Sequence, residues 1–244
     1  MTEKEAAAAT IELLDSPEVA VVYMLTAESS LVCQTDDAAA AMVNACDLVL
    51  PGDHHTRQAL LQIADPERMT GDEEEYSYRY IRELLPALEK RDISIYAAME
   101  KENQLSLMQE FFLNDYPGIN FYGTVVEKDT EAEISRVVND INACLPDIVF
   151  VCVEIESHIA FVRDYITMMN TKLCVCMESI NPMMARVMTD VPRIFRRLHL
   201  ERLYHWFRRE HKLQRQILGS IFKKRMIDNA GIRKIRRKEE SEED

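Results

Sequence analysis

Apolar and polar positions change period repeatedly along the chain, and the changes lay out the elements. Short apolar, β-branched runs predict strands over residues 18–27, 46–53, 92–99, 119–126, 146–155 and 171–178. Between them, apolar residues recur at helical spacing over 2–14, 36–45, 55–64, 70–91, 102–118, 129–144 and 156–170. End signals agree with these spans. Thr35 or Asp36 offers a cap for the second helix, and Thr70-Gly71-Asp72 opens the fourth. Pro117-Gly118 stops the fifth, and a Thr/Asp start opens the sixth. Residues 192–227 read as almost entirely helical.

The strand cores are nearly continuous apolar runs, as expected where both faces of a sheet are covered. Strands alternating with helices then predict an α/β fold. Its form is a Rossmann-like, mostly parallel sheet sandwiched by helices, with a C-terminal helical appendage. The expected division is a core over 1–190, a basic amphipathic appendage over 191–230 and a disordered charged tail over 231–244. In such sheets ligands bind beyond the carboxyl ends of the strands. The segments to watch are therefore 26–28, 51–55, 98–101, 123–127, 154–158 and 178–181.

Charge sharpens this picture. The net charge of −13 conceals a sharp division. Residues 1–185 hold 12 Lys and Arg against 33 Asp and Glu, whereas 186–238 hold 17 against 4. The acidic body argues against nucleic acid as a partner, and the basic segment argues for an anionic one. The appendage carries Ile194, Phe195, Leu198, Leu203, Trp206 and Phe207 among its arginines. That is the composition of a helix lying on an anionic membrane surface, or of one packed on the body or on another subunit. No apolar run reaches the roughly 20 residues of a membrane span, and the first residues do not read as a secretory signal.

The six cysteines read as buried free thiols of a reducing cytosol, with Cys174 and Cys176 expected on opposite sides of their strand. No metal site is expected. No CxxC pair is present, and His54-His55 lack an accompanying carboxylate at metal spacing. Only six glycines occur, few for a chain that would cradle a phosphate on its backbone.

Four co-linear segments carry a resemblance: ADPERMTGDE (64–73), LNDYPGINFYGT (113–124), INACLPDIVFV (141–151) and LHLERLYHWFRRE (198–210). Over residues 18–225 the chain resembles the WecG/TagA/CpsF glycosyltransferases of bacterial surface-polymer synthesis. The resemblance implies transfer of an N-acetylmannosamine-type sugar from a UDP donor to a polyprenyl-diphosphate-linked amino sugar. It implies inversion at the anomeric carbon, no metal or other cofactor, and a peripheral place at the cytoplasmic face of the membrane.

Carried over by position, the resemblance points to Asp53 as general base and to Thr26, Arg68, His158, Lys212 and Arg215 around the donor diphosphate, with Arg208 and Arg209 close by. The sequence departs from the family at the strand ends. Leu50-Pro51-Gly52-Asp53 stands for LPDG, which displaces the carboxylate by one position. Ala97-Ala98-Met99-Glu100 stands for a glycine-rich loop. Val153 to His158 replaces GLGxPxQE, with His158 where glutamine is expected, and Met177 to Arg186 replaces VGGxFDxxAG. Glu100, Glu154, Glu156 and Glu178 thereby add negative charge where a diphosphate would sit.

Each residue also has a plainer reading. Asp53 would cap a turn or helix, His158 would be a polar helix-start residue, and Arg68 would pair with the acidic run 72–75. Two classes of function follow, an active UDP-sugar transferase and a degenerate member acting as a binding or regulatory partner at the membrane. Self-association is open in both.

Overall fold

The computed structural model describes residues 1–64, 76–127 and 130–178. Helix α1 (Glu3–Leu13) precedes β1 (Ala20–Leu25), α2 (Ala27–Val32), α3 (Asp37–Asn44), β2 (Leu48–Pro51), α4 (His54–Ala64) and α5 (Tyr76–Glu89). There follow β3 (Ser94–Met99), α6 (Glu102–Asp115), β4 (Asn120–Val125), α7 (Glu131–Cys144), β5 (Ile148–Cys152), α8 (Ile155–Ile159) and β6 (Leu173–Cys176). The six strands form one sheet in the order β2-β1-β6-β5-β3-β4, and every pairing is parallel. The α/β, Rossmann-like arrangement is therefore the one the alternation predicts.

Helices cover both faces of the sheet. One face packs Val22, Met24, Ile95, Phe150 and Val175 against α1, α5 and α6. The other packs Tyr23, Tyr96, Val149, Val151 and Cys176 against α3, α7 and α8. Double coverage leaves all five residues of β5 buried, which is why that strand reads as one unbroken apolar run. Helix α7 shows the complementary pattern. Ile134, Val137, Val138 and Ile141 make one buried stripe, and Thr130 Oγ1 accepts the Glu133 N–H at its start.

Aspartates secure the amino ends of the strands. Asp47 accepts the Val21 N–H at 2.7 Å, and Asp147 accepts the Ser94 N–H at 2.9 Å while Lys172 sits 2.8 Å from its other oxygen. These carboxylates lie at the end of the sheet away from the ligand-binding side, so their work is structural. At the other end, the connection after β1 runs over one face and that after β2 over the other. Adjacent strands whose connections diverge leave a crevice at their carboxyl ends. That rule places a crevice at the β1/β2 pair, where Ala27 and Leu31 of α2 pack on Ala59 of α4.

Three expectations need correction. Helix α2 was not anticipated, because AESSLV carries neither a long apolar stripe nor a helix-length span. It exists because Thr26 and Ser29 form a reciprocal cap at its start. The helix expected over 156–170 is not uniform: α8 widens into a π turn over Ala160–Tyr165 and tightens into a 3-10 turn over Ile166–Met168. Cys174 and Cys176 share a face, with their sulfurs 3.9 Å apart. Side chains alternate with a period of two, so residues i and i+2 point the same way. All six cysteines are free thiols. Cys152, Cys174 and Cys176 are buried, Cys33 and Cys46 half-buried, and Cys144 exposed. The appendage and tail, residues 191–244, lie outside the described residues.

Candidate functional site

The carboxyl ends of β1, β2 and β6 bring together Thr26, Gly52, Asp53 and Glu178. The parallel register sets their levels: Leu25 pairs with Pro51, so β1 and β2 end together, while Cys176 pairs with Tyr23, so β6 ends two residues lower and Glu178 makes up the difference. Thr26 then leaves the sheet in extended conformation and caps α2. Its hydroxyl accepts the Ser29 N–H at 3.1 Å and donates to Glu178 Oε2 at 2.7 Å.

Gly52 explains why the carboxylate of this turn is displaced. Its N–H donates to the Leu25 carbonyl at 2.7 Å, drawing the backbone tight against β1. A Cβ here would stand 2.5 Å from the Met24 carbonyl oxygen. An aspartate at position 52 does not fit this backbone, and position 53 is the first that accepts one. Both Asp53 oxygens are engaged there. Oδ1 accepts the Thr56 N–H at 2.7 Å, and Oδ2 accepts the Ala27 N–H at 2.8 Å. One side chain thus caps α4 and ties the first turn of α2 to it.

His158 lies deeper, fully buried in the first turns after β5. Its Nε2 faces the Val151 carbonyl at 3.0 Å. A carbonyl only accepts, so Nε2 carries the proton and the unprotonated Nδ1 accepts from the Tyr23 hydroxyl at 3.3 Å. Burial pushes the imidazole down to about 4, against smaller opposing effects from the backbone at Val151 and Met177. Tyr23 is raised above its ordinary value, chiefly by burial and next by the Glu178 charge. The sequence places His158 near the mouth of the site. The fold turns it inward, where it joins β1 to β5 through Tyr23.

The four glutamates of the mouth separate. Glu100, Glu154 and Glu156 point to solvent. Glu178 folds in beneath α2, and burial raises it to about 7, with Glu28 and Asp53 adding to the rise and the Thr26 and Ser29 hydroxyls opposing it. Its Oε1 is shut off from solvent and makes no well-formed hydrogen bond among the described residues, although the Ser29 hydroxyl stands close enough to act on the carboxyl. This carboxyl was counted in the sequence only as added negative charge. The available signal is its position, one acidic residue after the unbroken buried run Leu173–Met177.

The model of the glycosyl transferase WecG/TagA/CpsF family matches residues 1–230 of the 244. The chain belongs to this family. No individual curated protein matches it. Membership makes the protein part of a glycosyltransferase family of surface-polymer synthesis, in which a nucleotide-sugar donor and a lipid-linked acceptor are the expected partners. Among the described residues no helix is long and apolar enough to cross a membrane. Of the positions carried over from the family, Thr26 and Asp53 stand together at the crevice, and His158 stands behind it. Arg68, Lys212 and Arg215 lie outside the described residues.

Proposed function

We propose that this chain transfers an N-acetylmannosamine-type sugar from UDP to a polyprenyl-diphosphate-linked amino sugar, with inversion, at the cytoplasmic face of the membrane. The observation that carries the reading is the polar cluster of Thr26, Asp53 and Glu178 at the β1/β2 crevice of a chain that matches this family along nearly its whole length. An open parallel sheet takes its ligand at such a crevice. Asp53 acts there as a positioning residue, fixing the α2 and α4 starts that form the crevice rim.

The diphosphate needs cations to balance it as UDP departs. Arg68, Lys212 and Arg215 are the basic groups the family pattern assigns to that task, and the +13 segment supplies attraction for anionic lipid. The mouth is less negative than its four glutamates suggest, because Glu178 carries its full charge only above about pH 7.

Calorimetric titration of the full-length protein with UDP at low salt tests the reading. Micromolar binding that Arg68→Ala weakens at least tenfold supports it. Absence of binding up to millimolar UDP refutes it. One observation favours the second reading, a binding or regulatory member without turnover. The backbone cradle of a glycine-rich loop is replaced by Ala97, Ala98 and Met99, all buried in β3. No UDP binding up to millimolar concentration by a folded protein is the outcome that selects it.

A further inference from the structure

Arg57 stands in the first turn of α4, and its backbone N–H donates to the Asp53 carbonyl at 3.1 Å. Its side chain reaches two other helices. Nη2 lies 3.2 Å from Glu3 Oε1 on α1, and Cζ lies over the ring of Tyr76, the first residue of α5, 5.6 Å from its centre. The Arg57 and Glu3 side chains are only 22% and 16% exposed, and Tyr76 is buried. An ion pair so enclosed is weak evidence for stability, because apolar side chains of the same volume would pack as well. What it fixes is place. A guanidinium held by a carboxylate and by a ring face has one position, and through it the start of α5 is held against the start of α4.

The chain joining these two helices, residues 65–75, carries Arg68, the arginine that the family pattern assigns to the donor diphosphate. The start of α4 is also the crevice rim, where Asp53 ties α4 to α2. We infer that Arg57 is a positioning residue for donor binding: by holding Tyr76 to the first turn of α4, it sets the end of the segment from which Arg68 meets the diphosphate. The inference rests on the glycosyl-transfer reading above. Tyr76 follows Arg68 by eight positions, a reach of at most about 28 Å for an extended chain, so the place of Tyr76 bounds the place of Arg68. A misplacement of about 1 Å is enough to cost a binding group much of its effect. Arg57 itself touches neither donor nor acceptor in this scheme.

The test is calorimetric titration of full-length protein with UDP at low salt. R57Q removes the cation, and Y76L removes the ring while keeping an apolar side chain. Each is expected to weaken UDP binding about three- to tenfold, the scale of a desolvated cation–ring contact. Y76F keeps the ring and should stay within about twofold of wild type. In an Arg68→Ala background, R57Q and Y76L should change the affinity by less than about twofold, because the group they place is gone. A purely structural role would lower the urea midpoint without producing that coupling. Urea unfolding establishes which variants are folded at the assay temperature. R57Q leaves every buried apolar side chain in place, so the test stands on it alone if Y76L does not fold. An R57Q affinity within about twofold of wild type, or an equal loss with and without Arg68, overturns the inference and leaves the glycosyl-transfer reading standing. A wild-type protein that binds no UDP up to millimolar concentration overturns both.

Discussion

Replacing Glu178 by glutamine should stabilise the protein in alkaline solution and leave it unchanged in acid. The native carboxyl holds its proton up to about pH 7, whereas the unfolded chain releases it near 4.5. Between those values the native state binds more protons than the unfolded state, so stability falls as pH rises. Each unit is worth about 1.4 kcal/mol. The full separation therefore costs about 3 kcal/mol above pH 7. Glutamine keeps an oxygen for the Thr26 hydroxyl and carries no charge, so E178Q escapes this cost.

Urea unfolding of both proteins from pH 4 to 8.5 reads the difference directly, because groups common to both cancel. The stability gap should be near zero at pH 4 and should climb through the window to about 3 kcal/mol at pH 8. His158 makes the comparison sharper. Its native value of about 4 lies below the ordinary 6.5, so it contributes stability above 6.5 that is lost as pH falls toward 4. The two slopes oppose each other between about 4.5 and 6.5, and the wild-type curve should be flattened there. In E178Q the histidine slope stands alone, and stability should fall steadily below pH 6.5. Parallel wild-type and E178Q curves across the whole range would refute the argument, because they would mean that Glu178 titrates as it does in the unfolded chain.

Other outcomes follow from the same geometry. Asp53→Ala removes the acceptor for the Thr56 and Ala27 N–H groups and should destabilise by about 1–2 kcal/mol in urea unfolding, the worth of a lost cap; a change below about 0.3 kcal/mol would dismiss its capping role. Gly52→Ala places a Cβ against the Met24 carbonyl and should cost roughly 1–3 kcal/mol, read as a lowered urea midpoint. Phe150→Ala, in the fully buried centre of the sheet, should cost about 3–5 kcal/mol by the same measurement. Iodoacetamide under native conditions should label Cys144 first and leave Cys152, Cys174 and Cys176 unmodified until urea is added, as read by peptide mass spectrometry.

The sheet was legible in the chain because its strands are short, branched and buried on both faces. An unbroken apolar run such as 148–152 has few other stable places in a water-soluble fold. The helices were legible where an apolar stripe coincided with a cap, as at Thr130 with Ile134 to Ile141. Helix α2 escaped because it is held by two hydroxyls, and hydroxyl caps leave no periodic trace. Family membership was legible too, since it depends on the order of segments, which is a property of sequence.

The roles of individual polar residues were decided only in three dimensions. Asp53 and Glu178 are both single carboxylates after a strand, and nothing local distinguishes them. The tight turn between β2 and α4 gives Asp53 two backbone donors, which is what a cap requires. The parallel pairing of β6 with β1 brings Glu178 beside Thr26, 152 positions away, and buries its carboxyl there. His158 differs from a surface histidine through Tyr23, a neighbour 135 positions distant that its own segment does not encode. Local pattern determines where the chain bends and buries because those choices depend on the nearest few residues. Proton affinity and hydrogen-bond satisfaction depend on whichever groups the fold brings within a few ångströms, so they belong to the tertiary structure.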